Sequence, residues 1–430
     1  MIIEYLITGK LLSVVFSFMI LINAICIKKY YGSYFYPSAI LSLFLFVYTF
    51  ISLVICWDIP INFISILYIW LCSLVSCFGT LLFNWNNANR ANTDKIPLSV
   101  YFDNRKSYII FTLLFFITII LYLENLKIQG FSLGDFLSNF KHSSALYAQI
   151  RYEKKEVPNY FMSLSLVLNY SLVILAGCIV FCTCFKKSKM IIIFLAFIPS
   201  LIITLTQSQK GPFLLSFVFF LGSYIVSRRY EQELSLLSKK EKKFLFFATF
   251  FILIVIMITF FTRGMNFTFI YSYAFGHIYA FSDWLSFYLG YPHVYQDYDE
   301  PNNLFYGFYT FMSLYNAIGI SYEVPLGIYS EYPHIHYLTT NIFMIFRGNI
   351  QDFGMVGTLL YWTILGMISN YIYYMFLKSR RPGLYMLLYI YFFVFCYYVF
   401  LISVFTWSSP IISIVLTYSI LILLKFKIKA

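Results

Sequence analysis

About eleven separate runs of some 20 apolar residues recur along this 430-residue chain, at roughly 5–27, 37–57, 61–83, 107–124, 160–185, 189–206, 211–227, 243–262, 354–377, 384–404 and 409–424. A helix rises about 1.5 Å per residue, so a run of that length crosses about 30 Å of hydrocarbon. Only elements that satisfy their own backbone hydrogen bonds are stable there, which for continuous apolar runs means α-helices. The expected fold class is all-α: a polytopic integral membrane protein with about eleven transmembrane helices. Composition agrees, because 11% of the residues are charged where a soluble domain carries about 25%. No repeat, low-complexity tract or linker divides the chain, and 1–430 reads as a single membrane-embedded domain.

Charge sets the expected orientation. Lys28 and Lys29 follow the first run where a signal peptide would have a small-residue cleavage site, so that run reads as a retained anchor. An odd number of crossings puts the termini on opposite faces. With the amino terminus outside and the carboxyl terminus in the cytoplasm, the inner loops hold Lys28/Lys29, Arg90/Lys95/Arg105/Lys106, Lys186/Lys187/Lys189, Arg228 through Lys243, Lys378/Arg380/Arg381 and Lys425/Lys427/Lys429. These are about 21 of the 30 basic residues, the distribution the positive-inside rule requires. The acidic residues gather on the other face. The net charge of +12 therefore points to anionic membrane lipid as the basic partner, and not to nucleic acid.

Two outer loops are long. The first, about 125–158, is expected to contain a short amphipathic helix lying on the membrane. The second, 263–352, precedes the ninth crossing and is too long for a passive connector. Its early part, FTFIYSYAFGHIYAFSDWLSFYLG, reads as an interfacial or re-entrant helix, because a further crossing there would put Lys378, Arg380 and Arg381 outside.

Candidate chemistry concentrates in and around that second loop. Lys210 stands in TQSQKGP, a very short outer turn, and Arg263 in FFTRGMN closes a run at its outer end. Arg347, in MIFRGN, precedes Asp352 by five residues, and a structural Arg347–Asp352 pair is one reading of that spacing. A guanidinium donates two parallel hydrogen bonds to a phosphate or diphosphate, which is the other. His334 and His336 flank one residue, so in an extended segment both point to the same side, where either suits a general base. Asp297 and Asp299 spell an Asp-x-Asp that reads as a solvated acidic turn. The eight cysteines lie within or at the edges of apolar runs, so neither a disulfide framework nor a metal site is expected.

The segment TTNIFMIFRGNIQDFGMVGTLLYWTILG, together with TQSQKGPFLLSFV and FTRG upstream, resembles the O-antigen polymerase (Wzy) family of oligosaccharide repeat-unit polymerases. The likeness of pattern covers roughly 200–375, and the first half resembles the family in span count and hydropathy. It implies a metal-independent glycosyltransferase of GT-C-like architecture in the bacterial cytoplasmic (inner) membrane, without cofactor, with its active site at the outer face. Donor and acceptor would be oligosaccharides linked to undecaprenyl diphosphate, with a chain-length regulator protein as a further expected partner. Carried onto this sequence, Lys210, Arg263 and Arg347 match the family's diphosphate-binding positions, Lys210 standing where many relatives have arginine. His334, His336 and Asp352 are the candidate bases within the same segment. An O-antigen ligase shares donor and architecture, and a lipid-linked oligosaccharide flippase or other transporter would also be all-helical. A transporter is expected to spread charge along its spans, whereas here the spans are nearly charge-free.

Overall fold

The computed structural model describes residues 2–90, 95–153, 155–183, 185–233, 238–264, 267–299, 304–320, 322, 324–325 and 328–425. Of the features singled out above, Cys184, Lys427 and Lys429 lie outside the described residues. The chain is almost entirely helical, with one two-stranded hairpin. Among the described residues ten helices are long and apolar enough to cross a membrane: Thr8–Tyr31, Pro37–Ile55, Phe63–Leu81, Arg105–Ile128, Tyr160–Cys182, Lys187–Thr206, Gly211–Tyr230, Glu241–Thr262, Met344–Lys378 and Ser408–Lys425. This is a multi-pass membrane protein.

Three stretches take a more particular form than expected. The run at 384–404 is helical over Leu384–Tyr398, 15 residues or about 22 Å. After it Ser403 Oγ donates to the carbonyl of Thr310 (2.6 Å) and accepts from Phe405 N, opening a short 3-10 turn over Val404–Thr406. The stretch expected as one interfacial or re-entrant helix is two, Phe267–Phe275 and His277–Tyr288, and every residue from His277 to Ser286 is buried. A helix lying on a membrane keeps one polar face in water, so the second of the two does not fit the interfacial alternative. In the 125–158 loop there are two short helices, Leu133–Ser138 and Phe140–Tyr152. Phe136 and Tyr147 pack onto Tyr122, Leu126 and Ile203 of the protein's own helices, while Leu133, Leu137 and Leu146 stay exposed.

The chain forms two compact units. The first comprises Met1–Ala88, Phe267–Met375 and Phe395–Ser408. Small residues let its helices approach closely, as they do in membranes, where apolar burial gives no preference for protein over lipid. A Cβ on Gly79 would stand 2.4 Å from the backbone of Gly366, and one on Gly366 2.2 Å from the carbonyl oxygen of Ser76. Around that crossing, Ser38 Oγ donates to Ser76 O (2.9 Å) and accepts from Asn370 Nδ2 (2.8 Å). Lys10 is buried within the first crossing helix, where its ammonium donates to the carbonyls of Cys56 (2.7 Å) and Ile59 (2.9 Å). It thereby satisfies orphan groups at the end of Pro37–Ile55, a helix terminus that favours a cation.

The second unit comprises Asn89–Asn266, Phe376–Val394 and Ser409–Ala430. Here Gly177 lets Tyr160–Cys182 lie directly against Gly211–Tyr230, since a Cβ would meet Ser223 and the carbonyl of Phe220. Asn169 Nδ2 donates to Ser216 Oγ (2.8 Å) across the same contact. At the carboxyl end of Gly211–Tyr230, Tyr230 Oη donates to the carbonyls of Arg380 (3.0 Å) and Ile96 (3.2 Å), and Lys95 lies over the Tyr230 ring. Three of the basic loops therefore meet at that end. Lys210 stands at the other end of the same helix.

Candidate functional site

In the first unit the segment before the 344–378 helix builds most of the candidate site. Gly354, at φ 68 and ψ 179, divides that helix into two, a backbone state that glycine adopts without steric cost. The part before it carries Arg347 and Asp352. The Asp352 carboxylate accepts from Tyr309 N (3.1 Å), Thr310 N (2.6 Å) and Thr310 Oγ1 (2.6 Å). It thus caps the amino end of Phe308–Ala317, where free N–H groups and the helix dipole favour an anion. Asn349 ties the same two helices, donating to Thr310 Oγ1 (2.9 Å) and accepting from Trp362 Nε1 (3.1 Å).

Arg347 pairs with Glu331, Nη2 to Oε1 at 2.5 Å, and not with Asp352. Its guanidinium stands over Tyr329 (4.0 Å) and Phe343 (4.2 Å), with Trp284 and Tyr298 beyond. The residue is 2% exposed, Glu331 5%, and among the described residues the Arg347 Nε and Nη1 atoms have no hydrogen-bond partner. Aromatic faces partly replace those missing bonds. Enclosed in this way, the guanidinium does not face a ligand from solvent. It anchors the strand that leaves Glu331 toward the two histidines.

From Glu331 to His336 burial alternates, with Tyr332, His334 and His336 outward. The hairpin pairs His334 with Thr339 and Ile335 with Leu338. Both histidines are exposed, and His334 Nδ1 shares a hydrogen bond with Thr339 Oγ1 (2.7 Å). His336 lies already in the turn, at φ 55, so the extended geometry that pairs the two ends at His334. Nearby in the chain, Asp283 accepts from Val294 N (2.7 Å), Tyr295 N (3.1 Å) and Tyr298 Oη (3.0 Å). This fixes one wall of a half-open cavity of about 300 Å³, lined among others by Asn62, Tyr279, Ser282, Ser286, Tyr291 and His293. The cavity offers hydroxyl, amide and imidazole groups, and its one carboxylate is occupied by the wall.

The second unit holds the other two expected cations, and it brings them together. Arg263 donates from Nη1 to Tyr152 Oη (2.6 Å) and from Nη2 to the carbonyl of Ser208, two residues before Lys210. Its Nε is buried without a hydrogen-bond partner among the described residues. The Lys210 ammonium lies over the ring of Phe260 (4.3 Å). Burial, and after it the Arg263 charge, push the Lys210 pKa down from 10.5 to about 7. Arg151, next in sequence to Tyr152, belongs to the same cluster: burial holds its pKa below the ordinary value, the Glu156 carboxylate opposes that, and the Arg263 charge adds to it. No family model, curated protein or solved structure matches this chain. Placement alone therefore distinguishes the candidate residues.

Three participants were not legible in the sequence. Glu331 sits 16 residues before Arg347, and only the folded strand shows them paired. Arg151 and Tyr152 stand in the run IRYEKKEVP, which reads as solvated loop charge until Phe140–Tyr152 is seen packed on its neighbours. The expected Asp297 and Asp299 are exposed, and among the described residues no three His, Cys, Asp or Glu side chains are grouped to hold a metal. The seven described cysteines are free.

Proposed function

We propose that this chain is an oligosaccharide repeat-unit polymerase of the O-antigen polymerase type, in the bacterial cytoplasmic membrane with its amino terminus outside. The observation that carries the reading is the polarity of the second unit. One end of Gly211–Tyr230 gathers the basic loops of Lys95, Arg228–Tyr230 and Arg380, and the other end gathers Lys210, Arg263 and Arg151. By the positive-inside rule the first end is cytoplasmic. The second cluster then lies at the outer face, where cations have no such general reason to collect. Leu384–Tyr398 and the residues that follow complete an eleventh crossing in this reading, a short helix being accommodated by local thinning of the bilayer.

In the reaction, the bond from the anomeric carbon of the donor glycan to its phosphate oxygen breaks and undecaprenyl diphosphate departs. Lys210 and Arg263 stabilise the charge that develops on it, a role fixed cations perform without a metal. The acceptor hydroxyl oxygen forms the new glycosidic bond, and its proton passes to a base. Within the first unit, the exposed His334 and His336 suit a base better than Asp352, which spends its carboxylate on capping Phe308–Ala317. Arg347 enters as the anchor of that hairpin through Glu331. The cavity beside Asn62 and His293, whose apolar walls carry a few hydroxyl, amide and imidazole groups, suits a sugar ring.

The test is purified protein in nanodiscs with purified lipid-linked repeat unit as the sole substrate. A ladder of lipid-linked products supports the polymerase. Transfer only to an added lipid A–core acceptor would instead identify a ligase, and no glycosyl transfer to either acceptor would overturn the reading.

A further inference from the structure

Phe308–Ala317, in the first unit, turns an apolar face outward. Leu314 is 55% exposed and Ile318, just past the helix, 72%, with Ile320 exposed after them. Tyr306 and Tyr322, on either side in sequence, are exposed as well. From Leu304 to Tyr322 the sequence holds no Asp, Glu, Lys, Arg or His. A face that docked a soluble partner would carry a polar rim, and here the exposed side chains from Leu314 to Ile320 include one polar group, Asn316. The back of the helix is taken up by protein, since Phe308, Thr310, Met312 and Ser313 are buried. Its end is closed too: Gly319, at φ 82, lets Ile320 N reach back to the carbonyl of Tyr315 (3.0 Å), which lowers the cost of lipid around it.

Neighbours in the same unit set the depth of this face. After Gly354 the crossing helix exposes Val356, Leu360, Ile364 and Ile368, every fourth residue, and these mark its lipid-facing stripe. The Phe311 ring stands 6.2 Å from that of Tyr361, next to Leu360 and about 10 Å of helix beyond Gly354. The same ring lies 5.6 Å from that of Phe405, in the turn closed by Trp407, an exposed indole directly before the Ser408–Lys425 crossing helix. Tryptophan at the end of a crossing marks the membrane–water boundary. Asp352 and Ser403 both bond Thr310, so the helix is held at this level. We infer that Phe308–Ala317 is seated in the bilayer interface, with Leu314, Ile318 and Ile320 among acyl chains and Tyr306 and Tyr322 at headgroup level. The partner of this face is lipid, and the 263–352 loop is fastened to the membrane through it. The seat is independent of the reaction, since a polymerase, a ligase and a transporter would all have it.

The probe is p-benzoylphenylalanine, placed in the full chain at Ile318, Leu360 or Asp297. The protein is irradiated in vesicles of palmitoyloleoyl-phosphatidylethanolamine and -phosphatidylglycerol, and lipid adducts are read by mass spectrometry. Leu360 sets the yield for full lipid contact, and the exposed Asp297 the yield for a loop in water. The yield at 318 should approach that at 360 and exceed that at 297 by about tenfold. Leu314, on the same face, takes the probe should position 318 not tolerate it, with the same result expected. A yield at these positions no higher than at 297, or capture of a second polypeptide in native membranes in place of lipid, would overturn the inference.

Discussion

Arg347 is a buried guanidinium held by one carboxylate and four rings, and its energetics follow from what happens when one partner is removed. Glu331→Ala leaves a charge without its counter-ion in a dry site, a change that costs about 3–5 kcal/mol. The expected result is a markedly lower midpoint of thermal unfolding in detergent. Replacing both partners by Arg347→Met with Glu331→Leu should restore most of it, because well-packed apolar groups of similar volume are tolerated where an ion pair stood. Equal loss in the single and double variants would contradict this account of the pair. Lys210 carries a pH dependence of defined sign. With its pKa lowered from 10.5 to about 7, the unfolded chain holds a proton between those values that the folded chain has lost. Stability therefore rises with pH through that window, and falls as pH drops toward 7. Anion binding runs the other way, since the charged form dominates only below about 7. Pyrophosphate affinity should fall more steeply in the wild type than in Lys210→Arg as pH is raised from about 6 to about 8. Parallel slopes would place the titrating group elsewhere.

Among the elements, the crossing of Phe63–Leu81 with Met344–Lys378 depends on Gly79 and Gly366 more than on any apolar side chain. Gly366→Leu would put a branched side chain where the Ser76 backbone lies, an overpacking that costs about 1–3 kcal/mol or more. Loss of a monodisperse elution profile, or a lowered unfolding midpoint, is the expected readout, and an unchanged midpoint would mean the helices do not pack as described. The long apolar runs made nearly all the crossing helices legible beforehand, and the expected start of one at residue 354 coincides with the break at Gly354. The turn that follows Leu384–Tyr398 was not legible, because it is held by the bond of Ser403 to Thr310, 93 residues away in sequence. Nor was the enclosure of His277–Tyr288. Its apolar face and its apolar back look alike in the sequence whether they meet lipid or protein.

At the scale of the whole molecule, the sorting of charge is what gives the chain a direction. Loop composition alone was enough to group Lys95, Arg228 and Arg380, and the second unit brings those loops to one end of a single helix. The opposite cluster was half legible. Lys210 and Arg263 stood out as cations at the outer ends of runs, while Arg151 was hidden in a loop whose fold depends on Phe131, Phe136 and Tyr147 packing against distant helices. Arg347 was legible as a residue but not as a role, since its carboxylate partner is fixed by tertiary contact. In the proposed polymerase, Lys210 and Arg263 together grip the diphosphate of the donor. The decisive measurement is the length of product that Lys210→Ala with Arg263→Ala makes from purified lipid-linked repeat units, beside wild-type protein inserted to the same level. The wild type should give a ladder and the variant only unextended units; a ladder of normal length from the variant would rule that grip out.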